Sequence, residues 1–258
     1  MADETKIGGT PNIFHVAGSD VRHVTGAPDL VLRGVIIPDD PRVIAAPLRK
    51  AMVEGWYESA EADELKGLID KGERILELGS AIGYISTLMS RDPGTEEILC
   101  FEANPQLIEF CHNVHRLNDV RNVRIENAIL TTDDSLGEIK FYLREHFWES
   151  STYAGPRGYQ SEAMIRAASL ARVIADFRPT MIVCDIEGGE VDLFEHADLA
   201  SIRKIMLELH PEVTGLPRIG TLFDAMSRNG LIYDLDHSRR KIVTFRRPRD
   251  QAGRGEAS

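Results

Sequence analysis

The stretch 75-ILELGSAIGYIS-86 passes from an apolar run through two glycines into a helix-like pattern. Strand–loop–helix units of this kind wrap backbone around a small cofactor, and the glycine spacing narrows which one. A phosphate-binding loop ends in Gly-Lys-Ser/Thr, and no lysine follows Gly83. A dinucleotide fingerprint needs G-x-G-x-x-G, whose glycines let the pyrophosphate approach the backbone. Gly79, Ser80, Ala81, Ile82 and Gly83 give G-x-x-x-G instead, so neither pattern matches.

Two acids sharpen the reading. Glu77 lies at the end of the apolar run, two residues before the first glycine. A carboxylate there suits a cationic ligand end, an ammonium or sulfonium, better than a pyrophosphate. Glu102 closes the next apolar run, 23 residues after Gly79, where an acid accepts hydrogen bonds from both ribose hydroxyls. S-adenosylmethionine combines ribose, adenine and a cationic amino-acid end, and it fits both positions. The structural alternative is that either acid caps a neighbouring helix.

Outward from this stretch the chain alternates strand and helix patterns. RILELGS, EILCFEA, NVRIENAIL, EIKFYL, TMIVCDIE and IRKIMLELH read as strands. YISTLMSR, PQLIEFCHNVHRLN, EVDLFEHADLA and IGTLFDAMSRNG read as helices, the last ended by Gly230. TMIVCDIE is almost wholly apolar, as a central parallel strand covered on both faces must be. LIYDLD and KIVTF form a closing hairpin, which contributes one antiparallel strand because so short a connection cannot cross over. The expected fold is therefore α/β and Rossmann-like: a seven-stranded, mostly parallel sheet with helices on both faces. Residues 1–72 form a lead-in that covers the active site, 73–250 the catalytic domain, and 251–258 a disordered tail. Residues 144–170 interrupt the pattern as an insertion, a common source of lids and substrate walls.

Composition sets the outer bounds. The 258 residues are 43% hydrophobic and 28% charged, ordinary for a globular protein. A net charge of −11 argues against nucleic acid or an anionic membrane as partner. The basic run RRKIVTFRRPRD reads as a charged turn and solvated tail. Cys100, Cys111 and Cys184 are too few and too irregular for a disulfide framework or zinc site. MADETKIGGT lacks the layout of a secretory signal, and no apolar run reaches the ~20 residues that span a bilayer. A cytoplasmic location is expected.

Four stretches, in this order, resemble the FkbM-type S-adenosylmethionine-dependent methyltransferases. LELGSAIGYIS is similar to their first motif and FEANPQLIEFCHNVHRLN to their second. NAIL resembles the segment beside the adenine, and VCDIEGGEVDLF the family's Asp-[Val/Ile]-Glu-Gly-x-Glu stretch. The likeness covers residues 50–212. It implies the class I methyltransferase fold, with Glu77, Gly79, Ser80 and Gly83 around the methionine part of the cofactor. Glu102, with Ala103 and Asn104 beside it, would hold the ribose, and Asn127 and Ala128 would lie near the adenine. Ala81 departs from the family, which often has Asn there; Ser80 can substitute for the lost polar contact.

The implied reaction moves a methyl group from S-adenosylmethionine to a hydroxyl of a small molecule or sugar and releases S-adenosylhomocysteine. Positioning supplies much of such a rate, and a hydroxyl nucleophile also benefits from a base or a metal. Asp185 ends the central strand at the sheet edge where open α/β sheets bind ligands. It can orient the acceptor or act as base. With Glu187, two residues on, it can also ligate a divalent cation such as Mg²⁺, although the spacing supplies no third acid. Alternatively, DIEGGE only fixes the strand-to-helix turn. His210, in LELHPE, is a second candidate base or a structural hydrogen-bonding residue. Trp56, Tyr57 and Glu58 before the core, and His146, Trp148, Ser151 and Tyr153 in the insertion, are candidate walls for the acceptor. Two other readings stand beside this one: a nicotinamide-dependent oxidoreductase on a related fold, and a module that binds S-adenosylmethionine without turnover.

Overall fold

The apolar runs of the sequence become strands buried on both faces. The structure, a computed structural model, describes residues 29–155 and 158–248. Most of the N-terminal lead-in's first half, Arg249 and the 251–258 tail lie outside the described residues.

A short hairpin, β1 (Leu30–Leu32) and β2 (Val35–Ile37), opens the described chain, followed by helices α1 (Ala46–Val53) and α2 (Ser59–Glu64). The alternating part runs β3 (Glu73–Leu78), α3 (Tyr84–Ser90), β4 (Thr95–Glu102), α4 (Ile108–Leu117) and β5 (Val123–Asn127). Next come β6 (Ile129–Thr131), β7 (Glu138–Leu143), β8 (Ser161–Ser169) and α5 (Leu170–Phe177). The chain continues through β9 (Met181–Cys184), α6 (Glu190–Phe194), β10 (Lys204–Glu208), α7 (Pro211–Thr214) and α8 (Leu216–Arg228). It closes with β11 (Ile232–Tyr233) and β12 (Ile242–Arg246).

Seven strands form the main sheet in the order β11-β12-β10-β9-β3-β4-β5. The inner pairs are parallel, and β12 runs antiparallel to both of its neighbours. This is the Rossmann-like class I methyltransferase arrangement expected from the sequence. Its side chains alternate between two cores. Ile75, Ile98, Met181 and Met206 pack toward α3, α4 and the N-terminal elements. Leu76, Leu99, Ile182, Ile205 and Phe245 pack toward the other helical layer. Burial on both faces leaves no room for polar alternation, hence the continuous apolar runs.

The chain moves from β3 outward through β4 and β5, then crosses back to β9 on the other side of β3. Strand order therefore reverses between β3 and β9, and crevices outside the carboxyl ends of strands at such a point bind ligands. Two further units flank the main sheet. The hairpin and α2 pack on α3 and α4, and Asn118 clamps β2 by bonding both the N–H and the carbonyl of Ile36. A second sheet, β6-β8-β7, stands beside the first.

That second sheet corrects the sequence reading. NVRIENAIL is not one strand: β5 stays in the main sheet, and after Ala128 the chain enters β6, which pairs parallel with β8. The insertion 144–170 is not loop throughout either, since β8 occupies its second half and pairs antiparallel with β7. SEAMIRAAS hid this because its small and polar residues carry little of the apolar alternation that marks a strand.

Candidate functional site

The loop that opened the sequence analysis leaves β3 in a conformation only glycine tolerates at Gly79. Its φ is +82°, and a Cβ there would lie 1.7 Å from the carbonyl oxygen of Asp185. The β3 and β9 ends are held that close because the Asp185 N–H donates to Leu78 O at 2.9 Å. Ala81 also takes a positive φ, +46°, which turns its N–H toward Glu102. Gly83, φ +80°, sits against α4, where a Cβ would approach Cys111 Sγ to 2.8 Å.

Glu102 joins this loop to the end of β4. Its Oε2 accepts the Ala81 N–H at 2.8 Å and its Oε1 the Asn104 N–H at 2.7 Å. Burial pushes its carboxyl up to about 7, with these backbone donors opposing the shift. Each oxygen keeps a further lone pair for a ligand hydroxyl. Asn127 Nδ2 donates to the carbonyls of Glu102 and Ala103, at 2.8 and 3.0 Å, and so fixes the β4 end. Asn104 accepts from the Gln106 N–H and shapes the turn into α4.

Glu77 is the most unusual group of this half. It is 2% exposed, and neither carboxylate oxygen has a hydrogen-bond partner. Burial raises it to about 7; Cys100 and Ser86 lie near enough to temper the shift. Ser80 Oγ, in the loop itself, is likewise buried without a partner. His115, held neutral by burial down to about 4, meets Ser86 Oγ at 2.9 Å beneath the loop.

A cavity of about 270 Å³ opens over these residues. Of the candidates from sequence, Tyr57, Glu58, Gly79, Glu102, Ala103, Ala128, Trp148, Asp185 and Glu187 line it. Glu77, Ser80, Gly83, Asn104 and Asn127 form the layer beneath. Trp56 points to solvent, 68% exposed, beyond the turn at Gly55, and Tyr153 is also exposed. His146 stacks on Trp148 with ring centroids 4.5 Å apart, supporting the wall from behind. Ser151 pairs with Tyr142 and accepts the Tyr153 N–H, a structural duty. Sequence reasoning missed much of the apolar lining: Phe101, Leu107, Ile129, Leu130, Ile139 and Phe141. The period-two spacing of Ile139 and Phe141 within EIKFYL was a usable signal for part of it.

The far end of the cavity belongs to the turn after β9. The sequence reading paired Asp185 with Glu187 by their spacing of two residues. The strand ends at Cys184, and the two carboxylates converge because Glu187 adopts φ +55° in a turn. They meet the imidazole of His210, whose Nε2 lies 3.6 Å from Asp185 Oδ1 and 3.4 Å from Glu187 Oε2. His210 caps α7, with Pro211 at the first helical position fixing the chain direction. Its Nδ1 sits 3.1 Å from Glu190 Oε1. The same oxygen accepts the N–H groups of Ile186 and Gly188, both at 3.2 Å, so Glu190 folds the turn and holds the ring.

The charged groups at this end act on one another. Burial raises Asp185 to about 6, with His210 opposing. Burial and then Asp185 raise Glu187 to about 8. Glu208, at the end of β10, rises to about 8 through burial, Asp185 and Glu61. Burial works against the charged form of His210, but Glu190, Asp185 and Glu187 outweigh it and push it up to about 9.

No protein-family model and no curated protein matches the chain. Solved structures of related shape include a precorrin-6y C5,15-methyltransferase from Geobacter metallireducens, at 12% identity over 74% of this chain and 88% of that one, TM-score 0.45. A ribosomal protein L11 methylase from Lactobacillus delbrueckii subsp. bulgaricus is 12% identical over 75% of this chain and 80% of its own, TM-score 0.44. A TehB-like SAM-dependent methyltransferase from Corynebacterium glutamicum is 14% identical over 79% and 96%, TM-score 0.43. Likeness at this level carries no argument about cofactor or reaction.

Proposed function

We propose that the protein is an S-adenosylmethionine-dependent methyltransferase of the FkbM type that O-methylates a small-molecule or sugar hydroxyl. The observation that carries this reading is one cavity at the strand-order reversal with two unlike ends. At one end Glu102 is held by backbone donors among apolar walls; at the other, carboxylates surround an imidazole.

The residues fit the cofactor on their own chemistry. Glu77 is a buried carboxylate without a partner, and Ser80 a buried hydroxyl without one, both at the loop assigned to the cationic methionine end. Glu102 has lone pairs to spare for ribose hydroxyls, and Phe101, Ala128, Ile129, Leu130 and Phe141 supply apolar surface for adenine. When bound, the cofactor supplies a methyl group on a sulfonium. Asp185 takes the proton of the acceptor hydroxyl, since a group near 6 is mostly ionised at neutral pH and still basic enough to serve. With no ion bound, His210, pushed up to about 9, stays charged at that pH and so is not the base. Tyr57, Glu58 and Trp148 wall the acceptor, the first two contributed by the segment before the main sheet.

The net charge of −11 supports a small-molecule acceptor over nucleic acid or an anionic membrane. No helix among the described residues is long and apolar enough to cross a membrane. Three free, buried cysteines agree with a reducing compartment, which we take to be the cytoplasm.

The test is release of S-adenosylhomocysteine across a panel of hydroxylated acceptors. Turnover with one of them is expected, and Asp185→Asn is expected to lower kcat about 10²–10⁴-fold. Cofactor binding without release on any acceptor would leave a binding module.

A further inference from the structure

We infer that Asp185, Glu187 and His210 form a binding site for one divalent first-row transition ion of the Mn²⁺ or Zn²⁺ class. The ligand atoms of the three residues all lie within 4.8 Å of one another. Nε2 of His210 stands 3.6 and 3.4 Å from the two carboxylate oxygens, too long for good hydrogen bonds. One ion about 2.1 Å from each ligand bridges gaps of that size.

Two observations beyond the proximity of the three residues point to a ligand. His210 is 4% exposed, and its Nε2 faces the gap with no hydrogen bond to either carboxylate. Asp185 Oδ1 is a buried oxygen with no hydrogen-bond partner, and it faces the same gap. The second layer is also that of a metal centre. Glu190 takes the far nitrogen of the ring at 3.1 Å, the carboxylate–histidine arrangement that fixes tautomer and direction in ligating histidines. An ion displaces the imidazole proton, as ligation by histidine requires.

The mixed donor set decides the class of ion. Oxygen-only cages suit Mg²⁺ and Ca²⁺, whereas an imidazole among carboxylates favours a first-row transition ion. Three protein ligands leave positions open toward the cavity that Asp185 and Glu187 line, where oxygens of an acceptor enter. That role in acceptor binding rests on the methyltransferase reading; the ion site itself does not.

The experiment titrates the full chain with Mn²⁺ and follows the free-ion electron paramagnetic resonance signal. Wild type is expected to bind one equivalent. Asp185→Asn, Glu187→Gln and His210→Gln are each expected to weaken it at least about tenfold. Lys140→Ala, at the exposed ion pair with Glu162, should leave it unchanged. Circular dichroism confirms folding, and Asp185→Asn is the decisive variant because it is nearly isosteric. No signal loss in wild type, or equal loss in wild type and folded Asp185→Asn, overturns the site. Binding of S-adenosylmethionine, measured with chelator present, tests the cofactor reading alone, so the two can fail separately.

Discussion

The two ends of the main sheet bury acids in opposite ways. At the amino end Glu73, fully buried, meets Lys204 at 2.6 Å and Arg203 at 3.1 Å, and Thr180 donates to it as well. Lys204 also reaches Asp70 at 2.9 Å and the Leu68 carbonyl. At the carboxyl end Glu77, Glu102, Asp185, Glu187 and Glu208 form no ion pair with lysine or arginine among the described residues, and His210 lies 3.6 and 3.4 Å from Asp185 and Glu187. The first set is closed within the protein. The second leaves wholly or partly buried acids without a basic partner, which raises their pKa values, where strand order reverses. Perturbed acids in a cleft mark a binding site more often than a structural one.

Breaking either end separates these roles. Gly79→Ala should do the most damage, on the order of 4 kcal/mol in urea unfolding, because its Cβ would meet the Asp185 carbonyl at 1.7 Å. Lys204→Met should cost about 3 kcal/mol by leaving Glu73 buried without its main cation. Glu77→Gln should act in the opposite direction and stabilise the protein at pH 8 by about 1 kcal/mol, since it removes an unpartnered buried charge.

The pH dependence sharpens the same contrast. Glu77 and Glu102 rise from 4.5 to about 7 on folding. Between those values the folded state holds protons that the unfolded chain has lost, so stability falls as pH rises. His115, lowered from 6.5 to about 4, works the other way up to pH 6.5. Glu187 and Glu208 extend the decline toward about 8. Thermal midpoints should therefore fall from pH 5 to 8, and Glu77→Gln should flatten the curve below pH 7. The smallest expected effect is remote from both ends. Gly220→Ala, in α8 with nothing within 4 Å of the new Cβ, should stabilise by about 0.5–1 kcal/mol and leave ligand binding unchanged.

The central sheet was legible because strands covered on both faces must be apolar throughout, as MIVC is. Glu102 was legible because the end of the second strand is fixed by the first loop. The acidic end was half legible. Asp185, Glu187 and His210 could each be named, but their convergence depends on a left-handed turn at Glu187 and on Glu190 holding the ring. No spacing rule encodes that turn. The second sheet was lost for a different reason: β8 is built from alanine, serine and charged residues, and its partners settle its conformation. Trp56 was placed in the chain but not in space by its sequence context, since an aromatic residue near a core segment can face water, as this one does.

The most direct measurement of the central claim is calorimetric titration of wild type and Glu102→Ala with S-adenosylmethionine and, separately, NAD. One site for S-adenosylmethionine and none for NAD is expected, with Glu102→Ala weakening the former by about 2 kcal/mol, roughly 30-fold. Binding of NAD alone, or equal S-adenosylmethionine affinity in the folded variant, would contradict the account.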